Sequence, residues 1–342
     1  MPLYISNFNM NKNDSVWIKT WIITILLVIG LLGGYEYFLK QRGFNASIES
    51  NNDLWSWYRS SITSKQNELV IVGASRSQLG INIPYLKQKL RNYHITQLSI
   101  NGHYPMATLK SLAEDQNFRG IILASINAQA MEDRYLDMQE EQNLYYEKES
   151  TFYKSFDAFL TAALKANIRF LHPTLRMEDI INYYDKNHAF PKAFYISTHL
   201  DQSSSGNYDL VNKKNLYNHF VKQKEKNYSD EQPTEFDKWK SNVDLLINYS
   251  KIIENRGGKV ILVRFPTFKE HWNLDEKFYP REKYWKLIED SPNLHAVHFN
   301  DVTGLGIFNS PDSSHIDQKD TVEFTEVLFN YLIMSNYLNL RN

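Results

Sequence analysis

The chain has 342 residues, enough for one large domain or two small ones, and a formal net charge of -1. That balance offers no basic field for nucleic acid and no acidic spacer. It contains no cysteine, which excludes a disulfide framework, thiolate zinc and a cysteine nucleophile, and suits an oxidising compartment.

The first element in chain order is the run from Trp21 to Leu39, apolar apart from Glu36 near its end. A bilayer span needs roughly 20 apolar residues, whereas a signal-peptide core has about 7–15. Trp17, Trp21, Tyr35 and Tyr37 flank the run as interface anchors do, and no A-x-A cleavage site follows. The expectation is a cytoplasmic tail over residues 1–16, a single-pass anchor over 17–40, and a linker with a leading helix over 41–66. The basic residues divide between Lys12 and Lys19 before the span and Lys40 and Arg42 after it. Orientation therefore rests on the long downstream domain, which favours tail inside and domain outside.

Beyond the anchor, short and nearly continuous apolar runs alternate with helical stretches. ELVIVG (68–73), HITQLSI (94–100), GIILASI (120–126), KVILVRF (259–265) and LHAVHF (294–299) read as five strands covered on both faces. Trp239, Val243, Leu246, Ile247, Ser250 and Ile253 recur at helical spacing until Gly257-Gly258 stops them. A final helix from about Gln318 carries Thr321, Phe324, Leu328 and Tyr331 in a stripe. This alternation predicts an α/β domain over 67–342 with a mostly parallel five-stranded sheet between helical layers. Residues 127–234 are too many for one crossover and read as an insertion. Within it, Phe152, Phe156, Phe159, Leu160, Ala163 and Leu164 mark one face of an amphipathic helix.

In an open parallel sheet, ligands bind beyond the carboxyl ends of the strands. GASRSQLG follows the first strand, INGHYP the second, SINAQ the third, RFPT the fourth and PDSSHID the fifth. One edge thus collects Ser75, Gly102, Asn127 and an Asp312/His315 pair. A serine hydroxyl becomes a nucleophile when a base takes its proton, and His315 is the candidate base. Asp312, three residues earlier, can hold the imidazole tautomer and stabilise the imidazolium. The backbone N–H groups of Ser75 and Gly102, with the Asn127 amide, are the candidate oxyanion donors. The plainer readings are an N-cap for Ser75, a cap for Asp312 or Asp317, a loop role for His315 and a turn glycine at 102. Arg76, Arg264 and Arg281 are candidates to line an acceptor groove, since a guanidinium fork suits carboxylate or phosphate; a surface ion pair is the other reading of Arg281. His295 and His298 lie on one predicted strand and face opposite sides, so no metal is expected, and no glycine loop suggests a cofactor.

These blocks resemble the SGNH hydrolase superfamily. GASRS resembles the first block, INGHYP the second and PDSSHID the last, which implies Ser75 as nucleophile, Gly102 in the oxyanion hole, and Asp312 and His315 as acid and base. The third block of that family reads G-x-N-D; SINAQ has neither its glycine nor its aspartate. More narrowly, the anchor, GFNASIESNNDLWSWYR, LAEDQNFRG, RGGKVILVRFP, YPREKYW and the stretch to FTEVL resemble membrane-anchored, envelope-facing bacterial SGNH proteins. Those accompany membrane-bound O-acyltransferases, as in alginate acetylation and teichoic-acid D-alanylation. The resemblance implies a flavodoxin-like α/β/α sandwich and acyl transfer, most simply of acetyl, to a cell-envelope polysaccharide through an acyl-Ser75 intermediate. A membrane-bound O-acyltransferase is the implied partner, with no nucleic acid and no cofactor. The same residues also suit an esterase or deacetylase on glycan or lipid. The irregular third block leaves open an idle glycan-binding or scaffold protein.

Overall fold

Residues 12–308 and 310–339 are described by a computed structural model, with side chains from Val16 onward. Most of the expected cytoplasmic tail, residues 1–11, lies outside the described residues. Helix α1 (Lys12–Gln41) follows directly from the apolar run. At 1.5 Å per residue its 30 residues measure about 45 Å, more than a hydrocarbon core requires. Its stretch Val16–Gln41 is long and apolar enough to cross a membrane, and none of its most apolar window is buried within the protein.

The described residues up to Ala46 form one compact unit with Asn167–Ala193; Ser47–Ala166 and the residues from Phe194 onward form the other. In the first unit, Leu39, Phe44 and Leu175 make a small core with Phe170, Ile180 and Phe190 against it. Glu36, the one charge within the apolar run, accepts from the Phe170 backbone N–H at 2.9 Å and pairs with Arg169 at 3.3 Å.

The second unit opens with helix α2 (Asn52–Ser60), capped by Asn51, whose side chain accepts from the Leu54 N–H. Its strands are β1 (Glu68–Val72), β2 (His94–Gln97), β3 (Ile121–Ser125), a hairpin of β4 (Ile196–Thr198) and β5 (Ser204–Gly206), then β6 (Lys259–Arg264) and β7 (His295–His298). Five of them form one sheet in the order β2-β1-β3-β6-β7, every pair parallel. Side chains alternate across a strand, and the sheet separates two cores accordingly. Val70, Val72, Ile122, Ala124, Val260 and Leu262 enter one core with Trp239, Leu246 and Leu109. Leu69, Ile71, Leu123, Ile261, Val263 and Val297 enter the other with Leu86, Phe324 and Leu328. The result is the three-layer α/β/α arrangement expected from the alternating apolar runs.

This strand order reverses direction between β1 and β3, the place where an open parallel sheet leaves a crevice at its carboxyl edge. Ser75 follows β1 and Asn127 follows β3. The 127–234 stretch contributes Asp133–Leu136, Glu140–Lys148, Phe152–Lys165, the hairpin and the helix Lys213–Asp230 to this unit. The apolar face expected on Phe152–Lys165 is mostly not buried: Ser155 and Ala162 are its buried residues, while Phe152, Phe156, Leu160 and Leu164 are exposed.

Candidate active site

The chain leaves β1 through Gly73 and enters helix α3 (Ser75–Gly80) at Ser75. Only glycine fits position 73, because a Cβ there would stand 2.4 Å from Ser77 Oγ and 2.8 Å from Ser125 Cβ. Ser77 Oγ donates to the Ala74 carbonyl at 3.0 Å and shares a hydrogen bond with Ser99 Oγ at 2.8 Å. The Gly73 carbonyl accepts from the Ile100 N–H and from Gln139 Nε2. The turn is therefore pinned on both sides, and Ser75 stands at the first helical position, where a backbone N–H has no intrahelical acceptor.

PDSSHID forms a tight loop in which Ser313 takes a positive φ of 71°. Asp312 is fully buried. Its Oδ1 accepts from the backbone N–H groups of Ser314 at 2.9 Å and His315 at 2.8 Å, and from Ser310 Oγ at 3.2 Å. Its Oδ2 lies 2.9 Å from His315 Nδ1 and accepts from the Tyr208 hydroxyl at 2.7 Å. Burial alone would raise this carboxyl's pKa. His315 and the converging donors override that and hold it well below the usual carboxylate range. With Nδ1–H donated to Asp312, His315 Nε2 is left to accept from the Ser75 hydroxyl, 2.7 Å away. Phe220 packs edge-on against the imidazole, with ring centres 5.6 Å apart.

Ser75 opens on a cavity of about 340 Å³, also lined by Arg76, Gly102, Asn127, Tyr104 and Lys224. Gly102 has φ of +77° and nothing within 4 Å of a would-be Cβ, so the turn itself is what calls for glycine there. Asn127 Oδ1 caps the short helix Ala128–Met131 by accepting from the Ala130 N–H, and its amide group donates toward the Tyr104 oxygen at the cavity wall. The structure thus places Ser75, Gly102 and Asn127 around one cavity and brings Asp312 and His315 to Ser75.

The three arginines separate. Arg76 lines the cavity. Arg264 does not, and its expected place in an acceptor groove is corrected. It is buried at the end of β6, bound to Asp275 at 2.6 Å, to Thr267 Oγ1 at 3.1 Å and to the Phe265 carbonyl. Burying a guanidinium requires such pairing, and these internal partners engage both of its terminal nitrogens. Arg281 is also absent from the Ser75 cavity and is held by Glu289 at 2.8 Å and Asp301 at 2.5 Å. Among the described residues, no group of three or more His, Asp or Glu side chains is arranged to hold a metal.

Lys224 was not legible as a site residue, because nothing in its helical segment repeats a motif. Its ammonium lies 3.4 Å from Asp275, 2.8 Å from Gln129 Oε1 and 4.2 Å from the Tyr228 ring centre. Burial, reinforced by Arg76 and Arg264, outweighs the attraction of Asp275 and pushes its pKa down to about 8. Arg76 reaches His271 Nε2 at 3.1 Å, and burial keeps the His271 pKa well below its ordinary value. That imidazole is therefore neutral and accepts from the guanidinium without offsetting its charge. Three cations, Arg76, Lys224 and Arg264, gather around the buried carboxylate of Asp275, which they hold well below the usual carboxylate range. Tyr208 also escaped the sequence reading. Gly206 makes room for it, since a Cβ there would meet the Tyr208 ring at 2.9 Å.

No protein-family model and no curated protein matches the chain. Among solved structures, one titled "Crystal Structure of TesA" is similar over 78% of this chain and 97% of its own, with 11% identity and a TM-score of 0.35.

Proposed function

We propose that the chain is a membrane-anchored, envelope-facing serine acyl-ester enzyme that transfers an acyl group, most simply acetyl, to a cell-surface polysaccharide. The observation that carries this reading is the continuous Asp312–His315–Ser75 hydrogen-bonded chain ending at an open cavity. In the first half-reaction Ser75 Oγ attacks the acyl carbonyl carbon as His315 Nε2 takes its proton. The oxyanion forms facing the Ser75 and Gly102 N–H groups and the Asn127 amide, and collapses as the leaving group departs with the proton from His315. In the second, a sugar hydroxyl gives its proton to His315 and attacks the acyl-Ser75 carbonyl, releasing the ester and the serine. Water in place of the sugar hydroxyl gives hydrolysis.

Arg76 and Lys224 line the cavity that Ser75 opens on, and Glu231, a carboxylate that also lines it, is engaged by Arg134 and the Tyr135 hydroxyl; the two cations favour an acceptor carrying carboxylate or phosphate. The SGNH-like blocks and the anchor support a membrane-bound O-acyltransferase as the source of the acyl group. The test uses the detergent-solubilised full chain with an aryl ester and a fluorophosphonate. One adduct on Ser75 that is lost in His315→Ala, together with acyl groups diverted from free acid to ester when anionic polysaccharide is added, is the expected result. An unlabelled Ser75 in the folded protein would overturn the acyl-enzyme. Labelling without diversion would leave a hydrolase.

A further inference from the structure

The helix Phe152–Lys165 is apolar on more of its circumference than the fold uses. Ser155 and Ala162 are buried, and Ala158 and Phe159 pack toward Ile48 and Leu54. At 3.6 residues per turn, Phe152, Phe156, Leu160, Tyr153 and Leu164 occupy a neighbouring sector about 120° wide. That sector faces solvent: Phe152 is 66% exposed, Tyr153 83% and Leu164 61%. Trp57 of α2 extends it, with its ring centre 6.1 Å from Phe152, 5.7 Å from Phe156 and 5.0 Å from Phe159. Asp157 and Thr161 mark the polar border. A helix with one buried stripe needs no second apolar stripe unless something covers it.

We propose that this face lies in the lipid headgroup and upper acyl region of the membrane that α1 crosses. The length of chain argues for lipid as the occupant. Only residues 42–51 separate Gln41, the end of α1, from α2, against which this helix packs. Ten residues reach at most about 35–40 Å, which bounds the distance from the end of α1 to the start of α2 and keeps the helix packed on α2 near the bilayer. Its composition, Trp, two Phe, Tyr and two Leu, is that of an interfacial helix. Its charges, Lys154 and Lys165 against Asp157 and Glu149, cancel. Apolar burial therefore drives the contact, and zwitterionic lipid suffices. This inference stands independently of the acyl chemistry.

The chain lacks cysteine, so a single introduced thiol labels one site. The full chain is reconstituted in phosphatidylcholine vesicles with an environment-sensitive fluorophore on Tyr153→Cys, Leu164→Cys or, at the polar border, Thr161→Cys. The expected result is emission from 153 and 164 that is shifted to the blue, quenched several-fold more by brominated phosphatidylcholine than emission from 161, and shielded from iodide. Added salt leaves this pattern unchanged, and Leu160→Asp abolishes it. Equal quenching of all three labels by iodide, with no effect of brominated lipid, would overturn the proposal and leave the face to a protein partner.

Discussion

At the scale of single residues, the site is organised around one carboxylate. Asp312 receives two backbone N–H groups, two hydroxyls and an imidazole, so neither oxygen is free to rotate toward solvent. A base held this way keeps one tautomer, and its reactivity is set before substrate arrives. Lys224 is a cavity residue whose pKa is pushed down to about 8 by burial. Its charge is present below about pH 8 and lost above it. The Michaelis constant for a carboxylate-bearing ester should therefore rise on the order of tenfold between pH 7 and 9, the loss expected for a charge-assisted contact of about 1.5 kcal/mol. A neutral ester should show no such rise, and Lys224→Gln should flatten the difference; parallel profiles for both esters would remove Lys224 from substrate binding. The linkage sign is the reverse of that for a paired lysine. The folded pKa lies below the ordinary 10.5, so folding releases protons between about 8 and 10.5, and this group's contribution to stability improves as pH rises through that window.

At the scale of elements, the strand-to-helix turn at Gly73 carries the nucleophile and has no slack. Gly73→Ala puts a methyl group against Ser77 and Ser125, both held by their own packing, at a cost of about 1–3 kcal/mol. The expected outcome is a melting temperature lower by several degrees and a larger loss of fluorophosphonate labelling than that destabilisation explains. An unchanged melting curve would mean that the turn relaxes. The sheet strands were legible because both faces are covered and their segments are short, nearly continuous apolar runs, barest in ELVIV of β1 and IILAS of β3. The partner of Asp312 and the cavity lysine that come from the 127–234 stretch were not. Tyr208 and Lys224 lie in polar, aromatic sequence without periodicity, and their positions depend on long-range packing, as with Gly206 yielding space to Tyr208. Arg264 misled because an arginine at a strand's carboxyl end looks the same in sequence whether it meets a ligand or a buried aspartate eleven residues later.

At the scale of the whole molecule, α1 should hold the chain in the membrane after alkaline carbonate washing, while extraction into the wash would contradict a span. The apolar run was legible from length and composition alone as a helix long and apolar enough to cross a membrane. The side of the membrane rests on weaker sequence signals, because Lys and Arg fall on both sides of it. The ten-residue connection between α1 and α2 would have a kinetic consequence under the proposed function. On the proposed reading, a site tethered so closely to a membrane would meet other membrane-held molecules in a thin layer, where short tethers give effective concentrations on the order of millimolar. An acceptor polymer emerging through the same membrane would be sampled at that concentration even if its intrinsic affinity were weak. Selectivity would then come from where the polymer is met, and polymer already released would be modified poorly by the same cavity.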